Sequence, residues 1–201
     1  MISLLMDTSN QYLMVALYQD GQCLESIQEL GSKKQSENAI PYLEKLLDKH
    51  HLELLNIDEM IITKGPGSYT GVRVAMAIAK TLSVISHVKI KAVSSLAAYA
   101  GLHQCVSVID ARSHKVFVGV YKDGHAIQDD VLMSIEEFHE MMKNYQDYTV
   151  VGQCDVVGYP SVECSLAENM YVLAQNLEPI DHVDALVPTY LKDVEAKKIC
   201  L

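Results

Sequence analysis

The stretch KGPGSYTGVRVAMAIAK, residues 64–80, decides how this sequence is interpreted. A Gly-Pro-Gly turn leads directly into a run of small apolar residues, and an apolar strand-like segment precedes the turn. This pattern predicts a strand, a tight turn and a helix from about Tyr69 to Ile85. Either Ser68 or Thr70 is expected to cap the helix at its N-terminus.

The glycines of this turn match neither of the common nucleotide-binding motifs. Gly65, Gly67 and Gly71 are spaced G-x-G-x-x-x-G, which is one residue longer than the dinucleotide fingerprint. A phosphate-binding P-loop would require a lysine directly after its last glycine, and none follows Gly71. The spacing therefore favours a structural turn over a phosphate cradle.

The helix that follows is apolar on more than one side. Two stripes of uncharged residues recur at helical spacing: Gly71, Ala75 and Ala79, and Val74, Ile78, Leu82 and Ile85. Arg73 and Lys80 are its charged residues. A helix that is apolar nearly all round is buried on both sides, so we expect a sheet to cover one side and another protein to cover the other.

We predict that this helix and the preceding one, within residues 36–52, form a partner surface. The preceding segment has apolar residues at helical spacing, with Ser36 as its N-cap. The predicted interface residues are Ser36, Ala39, Tyr42, Leu46, Tyr69, Gly71, Val72, Arg73, Ala75, Met76 and Ala79. Small residues suit close helix-on-helix packing. Without another partner, the same surface is expected to pair two copies as a two-fold dimer.

A repeat at a constant offset of 103 residues divides the chain into two halves. The matched positions are Asp7 with Asp110, Val15 with Val118, Tyr18 with Tyr121, Asp20 with Asp123, and Gly21 with Gly124. An Asp-Gly pair between β-prone segments is a strong hairpin signal, so the repeat predicts a duplicated β-β-β unit. Strands and helices alternate after each unit, which indicates an α/β fold with lobes at residues 1–102 and 103–201.

Composition restricts the classes of function. Sixteen Lys and Arg against 26 Asp and Glu give a net charge of −10, which disfavours direct nucleic-acid binding as the main task. The five cysteines contain no C-x-x-C, which fits reduced thiols in a cytosol. No signal peptide is evident, and the most apolar segment is too short to span a bilayer, so we expect a cytoplasmic protein without membrane contact.

Several motifs together resemble those of the TsaB (YeaZ) family, over essentially the whole chain. They are GPGSYTGVR, MDTS, SSLAAYA, IDAR and PTYLK. The resemblance implies an actin-like ATPase (ASKHA) fold with two pseudo-repeated β-β-β-α-β-α halves, the second one reduced. It also implies a non-catalytic subunit that partners TsaD in forming N6-threonylcarbamoyladenosine in tRNA next to the anticodon.

The same resemblance sets expectations for cofactors and further partners. ATP or ADP is expected at the contact with TsaD, and no cofactor is expected on the isolated chain. TsaE is a further candidate partner, and tRNA is expected to be contacted only indirectly. The alternative function is a stand-alone, metal-independent hydrolase, either a glycoprotease-like peptidase or a weak ATPase.

The sequence departs from a working ATPase of that superfamily at three places. The first strand of each half should end in Asp-x-Gly, but the turns read Asp7-Thr8-Ser9 and Asp110-Ala111-Arg112. The catalytic paralogue has an H-x-x-x-H motif, whereas the corresponding stretch at residues 35–39 contains no histidine. The nearest remnant of an adenosine loop is Gly152-Gln153-Cys154. We therefore predict no catalytic and no metal site.

Five residues of these turns are candidates for nucleotide or partner contact: Asp7, Thr8, Ser9, Asp110 and Arg112. The two aspartates would form either a carboxylate pair facing a cleft or two turn caps left from the duplication, and the missing glycines favour the caps. Arg112 would pair with an acidic group of a partner, pair with a phosphate, or lie solvated on the rim. The sequence leaves these alternatives open.

Overall fold

The computed structural model describes residues 1–31 and 35–191, without the side chains of residues 35 and 36. Within these ranges the strands form two sheets. The first sheet contains β1 (Ile2–Asp7), β2 (Tyr12–Gln19), β3 (Gln22–Leu30), β4 (Glu59–Thr63) and β5 (Lys89–Val93). The second sheet contains β6 (Cys105–Arg112), β7 (Lys115–Lys122), β8 (His125–Ser134) and β9 (Thr149–Gly152).

Each sheet is built on an antiparallel three-stranded unit with an Asp-Gly hairpin. Both residues of each turn have positive φ: 49° at Asp20 and 88° at Gly21, 52° at Asp123 and 78° at Gly124. Two consecutive positive φ angles favour a turn whose twist matches that of the flanking strands. The strands β2 and β7 begin 103 residues apart. The predicted duplicated unit is confirmed.

The order of the strands shows how the two halves correspond. The first sheet has the order β3-β2-β1-β4-β5, and the second has the order β8-β7-β6-β9. The first strand of each unit pairs antiparallel with the second strand and parallel with β4 or β9. The described part of the second half has no counterpart of β5. The α/β fold with a reduced second half is therefore as predicted.

Five helices lie within the described residues: α1 (Gln35–Lys49), α2 (Tyr69–Ile85), α3 (Ser95–Ala100), α4 (Ile135–Met142) and α5 (Leu166–Ala174). Helix α2 has the predicted bounds, and the Ser68 hydroxyl caps it by accepting from the Gly71 amide at 3.2 Å. The predicted N-cap at Ser36 was wrong, because α1 already begins at Gln35. Each described helix is too short or too polar to cross a bilayer.

The helices and sheets stack in layers around three apolar clusters. Helices α1 and α2 cover the outer face of the first sheet, and α4 covers the outer face of the second sheet. Helices α3 and α5 lie between the two sheets. Successive side chains of a strand point to opposite faces, so Leu4 contributes to the α1–α2 cluster and Leu5 to the middle one.

The middle layer is one core shared by both sheets. It combines Leu5 and Ile61 of the first sheet with Ile109 and Phe117 of the second. The chain passes from the first sheet to the second in the loop between α3 and β6. The assignment of residues 1–102 and 103–201 to two lobes stays a prediction, and the shared core shows that the halves are tightly joined.

Candidate functional site

The turn after β1 is held by hydrogen bonds to the carboxylate of Asp7. This carboxylate accepts from the Ser9 amide at 2.8 Å, from the Thr63 hydroxyl at 2.6 Å and from the side-chain amide of Asn10. Asp7 is fully buried. Burial raises its pKa, and the three hydrogen bonds oppose that rise. The side chain therefore organises the turn rather than facing a cleft.

The N-terminus of α2 fills the space beside this turn. The Thr8 hydroxyl donates to the carbonyl oxygen of Gly71 at 2.6 Å and accepts from the Ala75 amide at 3.3 Å. A Cβ added at Gly67 would lie far inside contact distance of the Ser9 carbonyl oxygen, and one at Gly71 would do the same at the Thr8 carbonyl oxygen. These two glycines let the helix approach the β1–β2 turn closely.

Ser9 is enclosed in the same way. Its carbonyl oxygen accepts from the Ser68 amide at 2.6 Å, and its hydroxyl lies 2.8 Å from that of Ser95. Asp7, Thr8 and Ser9 are all fully buried. The prediction that these three residues contact a nucleotide or a partner was wrong, because their polar groups are hydrogen-bonded inside the chain and covered by α2.

The equivalent turn of the second half, after Asp110, is more open. The Asp110 carboxylate accepts from the Arg112 amide at 2.7 Å and forms an ion pair with the Arg112 guanidinium at 3.0 Å. The Gln153 side chain accepts from the Asp110 amide at 2.6 Å. The Arg112 side chain is 86% exposed. Asp110 and Arg112 thus form a charged corner at the surface, and their contact with nucleotide or partner stays a prediction.

Gly152, in the expected remnant of an adenosine loop, supports the second turn instead. A Cβ added at Gly152 would overlap the carbonyl oxygen of Val108, and the Gln153 amide donates to that same oxygen at 2.8 Å. Gly152 and Gln153 are therefore packed directly against β6. Neither turn of the chain fits a complete nucleotide cradle.

Most of the predicted partner residues belong to the chain's own core. Seven are buried: Ala39, Leu46, Gly71, Val72, Ala75, Met76 and Ala79. Their prediction as interface residues was wrong, because the small-residue stripe of α2 faces the β1–β2 turn and the first sheet. Tyr42 is half-buried, and its hydroxyl donates to Glu29 of β3 at 2.5 Å. The side chain of Ser36 lies outside the described residues.

The exposed side of α2 is a different set of residues. Val74, Ala77, Ile78, Thr81 and Ile85 are half-buried or exposed and recur every three or four positions. None of them carries a charge. Ile40 of α1 is 45% exposed. We call these six residues the helix surface.

Sequence reasoning missed the segment of residues 180–190, which we call the strap. After α5 the chain crosses back to the first sheet, where the Ile180 amide donates to the Ile90 carbonyl at 2.8 Å. Near its end, the Thr189 amide donates to the Lys64 carbonyl at 2.7 Å. Apolar residues of the strap pack against the α1–α2 cluster: Ile180, Val183 and Leu186. The strap therefore provides part of the cover that was expected from another protein.

Arg73 and Lys80, the two basic residues of α2, both contact the strap. Lys80 donates to the backbone carbonyl of Asp184 at 2.8 Å, and the Arg73 Nε donates to the Tyr190 hydroxyl at 3.0 Å. The guanidinium of Arg73 also lies 3.8 Å from the ring centre of Tyr69. The only sequence signal for this contact was the Pro-Thr-Tyr-Leu-Lys motif.

Two of the cysteines, Cys105 and Cys164, are poor nucleophiles. Cys105 and Cys164 line a groove of about 590 Å³ between α3, α5 and the second sheet. Burial raises the pKa of each thiol to about 11, so both stay protonated at neutral pH. Across residues 1–31 and 35–191, no group of His, Cys, Asp and Glu side chains is arranged to hold a metal ion.

The duplicated sheets and the paired acidic turns define a chain of the actin-like ATPase class whose first phosphate turn is filled by its own helix. Residues 27–153 match the family model described as "TsaD: tRNA N6-adenosine threonylcarbamoyltransferase". The chain belongs to this family and, within it, to the TsaB (YeaZ) group.

The relatives match along most of the chain. A Bacillus subtilis protein named "tRNA threonylcarbamoyladenosine biosynthesis protein TsaB" is 28% identical over 222 residues, covering 98% of this chain and 96% of the relative. An Escherichia coli protein of the same name is 26% identical over 162 residues, covering 74% and 70%. The solved structure described as "YeaZ from Pseudomonas aeruginosa" superposes with a TM-score of 0.77 at 24% identity, covering 94% of this chain and 100% of that one. The predicted family resemblance is confirmed.

Proposed function

We propose that this chain is a non-catalytic subunit that partners a TsaD-type protein in forming N6-threonylcarbamoyladenosine in tRNA. Relatives across the whole chain are named for threonylcarbamoyladenosine biosynthesis, which supports the pathway. We place the protein in the cytoplasm, where tRNA is modified. Its contact with tRNA is indirect, because a net charge of −10 repels phosphates.

The observation that carries the proposal is the closure of the Asp7 turn by α2. An actin-like ATPase binds phosphate with free backbone amides at this turn. Here the Ser9 amide is bonded to Asp7, and the carbonyl oxygens of Thr8 and Ser9 are covered by Gly71 and Gly67. A phosphate could enter only if α2 moved away from the first sheet, which would open the core. The fold of the class is kept while its phosphate turn is closed.

The partner contacts the helix surface: Ile40, Val74, Ala77, Ile78, Thr81 and Ile85. Uncharged, partly exposed residues on two neighbouring helices fit the centre of an interface, where charged residues are depleted. Arg73 and Lys80 lie towards the strap and leave this surface without charge. In the absence of TsaD, two copies of the chain close on each other through the same residues. TsaE is a further partner of the assembled pair.

Two substitutions on α2 test this surface. Ala77→Arg places a charge on the exposed side, whereas Ala79→Arg places the same charge in the core. An uncompensated buried charge costs on the order of 3–5 kcal/mol, so Ala77→Arg should weaken binding to TsaD from the same cell by about a hundredfold or more. Ala79→Arg should fail to fold. Ala126→Arg, at an exposed alanine of β8, is the matched control and should bind normally.

Circular dichroism melting checks that Ala77→Arg is folded, and calorimetric titration with TsaD measures its affinity. A folded Ala77→Arg protein that binds TsaD as tightly as the wild type would refute the proposal that the partner contacts the helix surface. Steady hydrolysis of ATP or a peptide by the pure chain would support the stand-alone hydrolase instead. Tight binding of tRNA by this chain alone, in a gel shift without TsaD, would contradict the indirect role.

A further inference from the structure

Arg73 has an unusual environment for an exposed cation in an acidic protein. Its guanidinium carbon lies 3.8 Å from the ring centre of Tyr69 and 5.8 Å from that of Tyr190. The two rings lie 5.7 Å apart with an interplanar angle of 29°. The Nε donates to the Tyr190 hydroxyl at 3.0 Å. Stacking and this hydrogen bond together restrict the orientation of the guanidinium.

No carboxylate pairs with Arg73 among residues 1–31 and 35–191, although the sequence holds 26 Asp and Glu. The other exposed arginine of the described chain, Arg112, differs because it forms an ion pair with Asp110. Arg73 is exposed and lies on α2, the helix that carries most of the helix surface. Tyr69 and Tyr190 are 49% and 48% exposed, so the cluster as a whole is accessible.

We propose that Arg73 is a recognition arginine that binds a carboxylate side chain of the TsaD-type partner. Tyr69 and Tyr190 act as positioning residues, because a guanidinium held in place loses less conformational freedom when it binds. Arginine and tyrosine are also enriched at the residues that dominate interface energies. The strap thereby takes part in partner binding through Tyr190. This inference rests on the proposed function and extends it to one charge pair.

A protein carboxylate fits this cluster better than a nucleic-acid phosphate does. The basic residues of α2 are Arg73 and Lys80, and Lys80 is engaged with the strap. A single arginine on a chain of net charge −10 cannot hold a polyphosphate backbone, since such binding needs several cations. A guanidinium fork instead matches a single carboxylate with two parallel hydrogen bonds.

The experiment measures the affinity of this full-length chain for TsaD at several salt concentrations. Arg73→Gln should weaken binding roughly tenfold to a hundredfold, the range expected for hydrogen bonds to charged groups. It should also reduce the salt dependence of the dissociation constant, because an ion pair is lost. Lys143→Gln, which removes an exposed positive charge on the far side of the second sheet, is the matched control and should change neither quantity.

Two variants separate charge recognition from a purely structural role of the cluster. Tyr190→Phe keeps the ring but removes the hydroxyl that orients Arg73, so it should weaken binding less than Arg73→Gln while preserving the salt dependence. If Arg73→Gln weakens binding with an unchanged salt dependence, Arg73 only supports the strap and the proposal is overturned.

Ala77→Arg distinguishes this proposal from the proposed function. If Ala77→Arg abolishes binding while Arg73→Gln has no effect, the helix surface stands and the carboxylate pair is refuted. If wild-type protein shows no association with TsaD, both proposals fall. An Arg73→Gln defect in tRNA retention, with normal affinity for TsaD, would show that the cluster binds phosphate and would also refute the pair.

Discussion

The hydroxyl of Thr8 donates to the carbonyl oxygen of Gly71 at 2.6 Å, which joins the first turn of the chain to the first turn of α2. A side chain at position 71 would overlap the Thr8 carbonyl oxygen, a backbone atom that cannot move aside easily. We therefore expect Gly71→Ala to lower the free energy of unfolding by more than about 3 kcal/mol, above the usual cost of overpacking. Urea unfolding followed by circular dichroism measures this change.

The control for this prediction is Gly158→Ala. Gly158 has a left-handed backbone with φ of 75°, but a Cβ there meets no atom within 4 Å. Its substitution should cost only about 1–2 kcal/mol from backbone strain. Equal losses at the two positions would show that α2 does not need its close approach to Thr8.

The buried carboxyl group of Asp7 should make the stability of the protein depend on pH. Burial raises its pKa in the folded state above the usual value of 3.8, so the folded protein binds a proton more tightly than the unfolded chain does. The stability that comes from this proton is fully present below pH 3.8 and is lost as the pH rises through the folded pKa. The Asp7→Asn variant has no carboxyl group to titrate at this position. Its stability relative to wild type should therefore increase as the pH rises over that interval.

Urea unfolding of both proteins between about pH 4 and pH 8 checks this expectation, because all other titrating groups are shared. If the free energy of unfolding of the wild type instead increases relative to that of Asp7→Asn as the pH rises, the prediction is wrong. Such a result would mean that the hydrogen bonds from Ser9, Asn10 and Thr63 outweigh the effect of burial and hold the carboxylate ionised.

Lys91 and Glu59 form an ion pair between β5 and β4, with Nζ and Oε2 3.1 Å apart and side-chain exposures of 12% and 4%. Lys91 also donates to the carbonyl of Ala174, at the end of α5, at 3.0 Å. Removing one partner leaves a buried charge, so Lys91→Met should cost about 3–5 kcal/mol. The double variant Glu59→Gln with Lys91→Met should recover much of this loss in the same unfolding assay. A double variant no more stable than Lys91→Met would contradict the pairing.

Nucleotide binding should depend on the partner. The filled Asp7 turn gives the isolated chain no cradle, so calorimetry at micromolar ADP or ATP should record no binding. In the complex with TsaD, we expect a nucleotide at the contact to be weakened by Arg112→Gln, which removes an exposed guanidinium. A clear isotherm with the isolated chain, or an unchanged affinity of the Arg112→Gln complex, would refute this expectation.

Local patterns predicted the strands, hairpins and helices because their causes lie within a few residues. The Asp-Gly turns at Gly21 and Gly124 require positive φ at neighbouring positions, and α2 follows from its spacing and from the Ser68 cap. The duplication was visible because both units keep the same offset. These features do not depend on distant parts of the chain.

The orientation of α2 could not be predicted because it depends on distant residues. The sequence predicted a sheet on one side of the helix and another protein on the other, but from the sequence Ala79 could face a partner or the first sheet equally well. The small-residue stripe begins at Gly71, which contacts Thr8, and Thr8 lies more than 60 residues earlier in the chain than Gly71. The strap lies about 100 residues later and has no period that marks it as buried. Arg73 was therefore predicted as an interface residue without its link to Tyr190.

The path of the strap also sets the order in which the molecule can mature during synthesis. Ile180, Val183 and Leu186 pack against the core of the first half, although they are among the last described residues to be made. The first sheet and its two outer helices emerge from the ribosome long before this part of their core exists. Arg73 acquires its second tyrosine only when residue 190 has emerged. The Arg73 cluster that we propose for partner recognition is therefore complete only after the strap has been synthesised, whereas the residues of the helix surface are made much earlier.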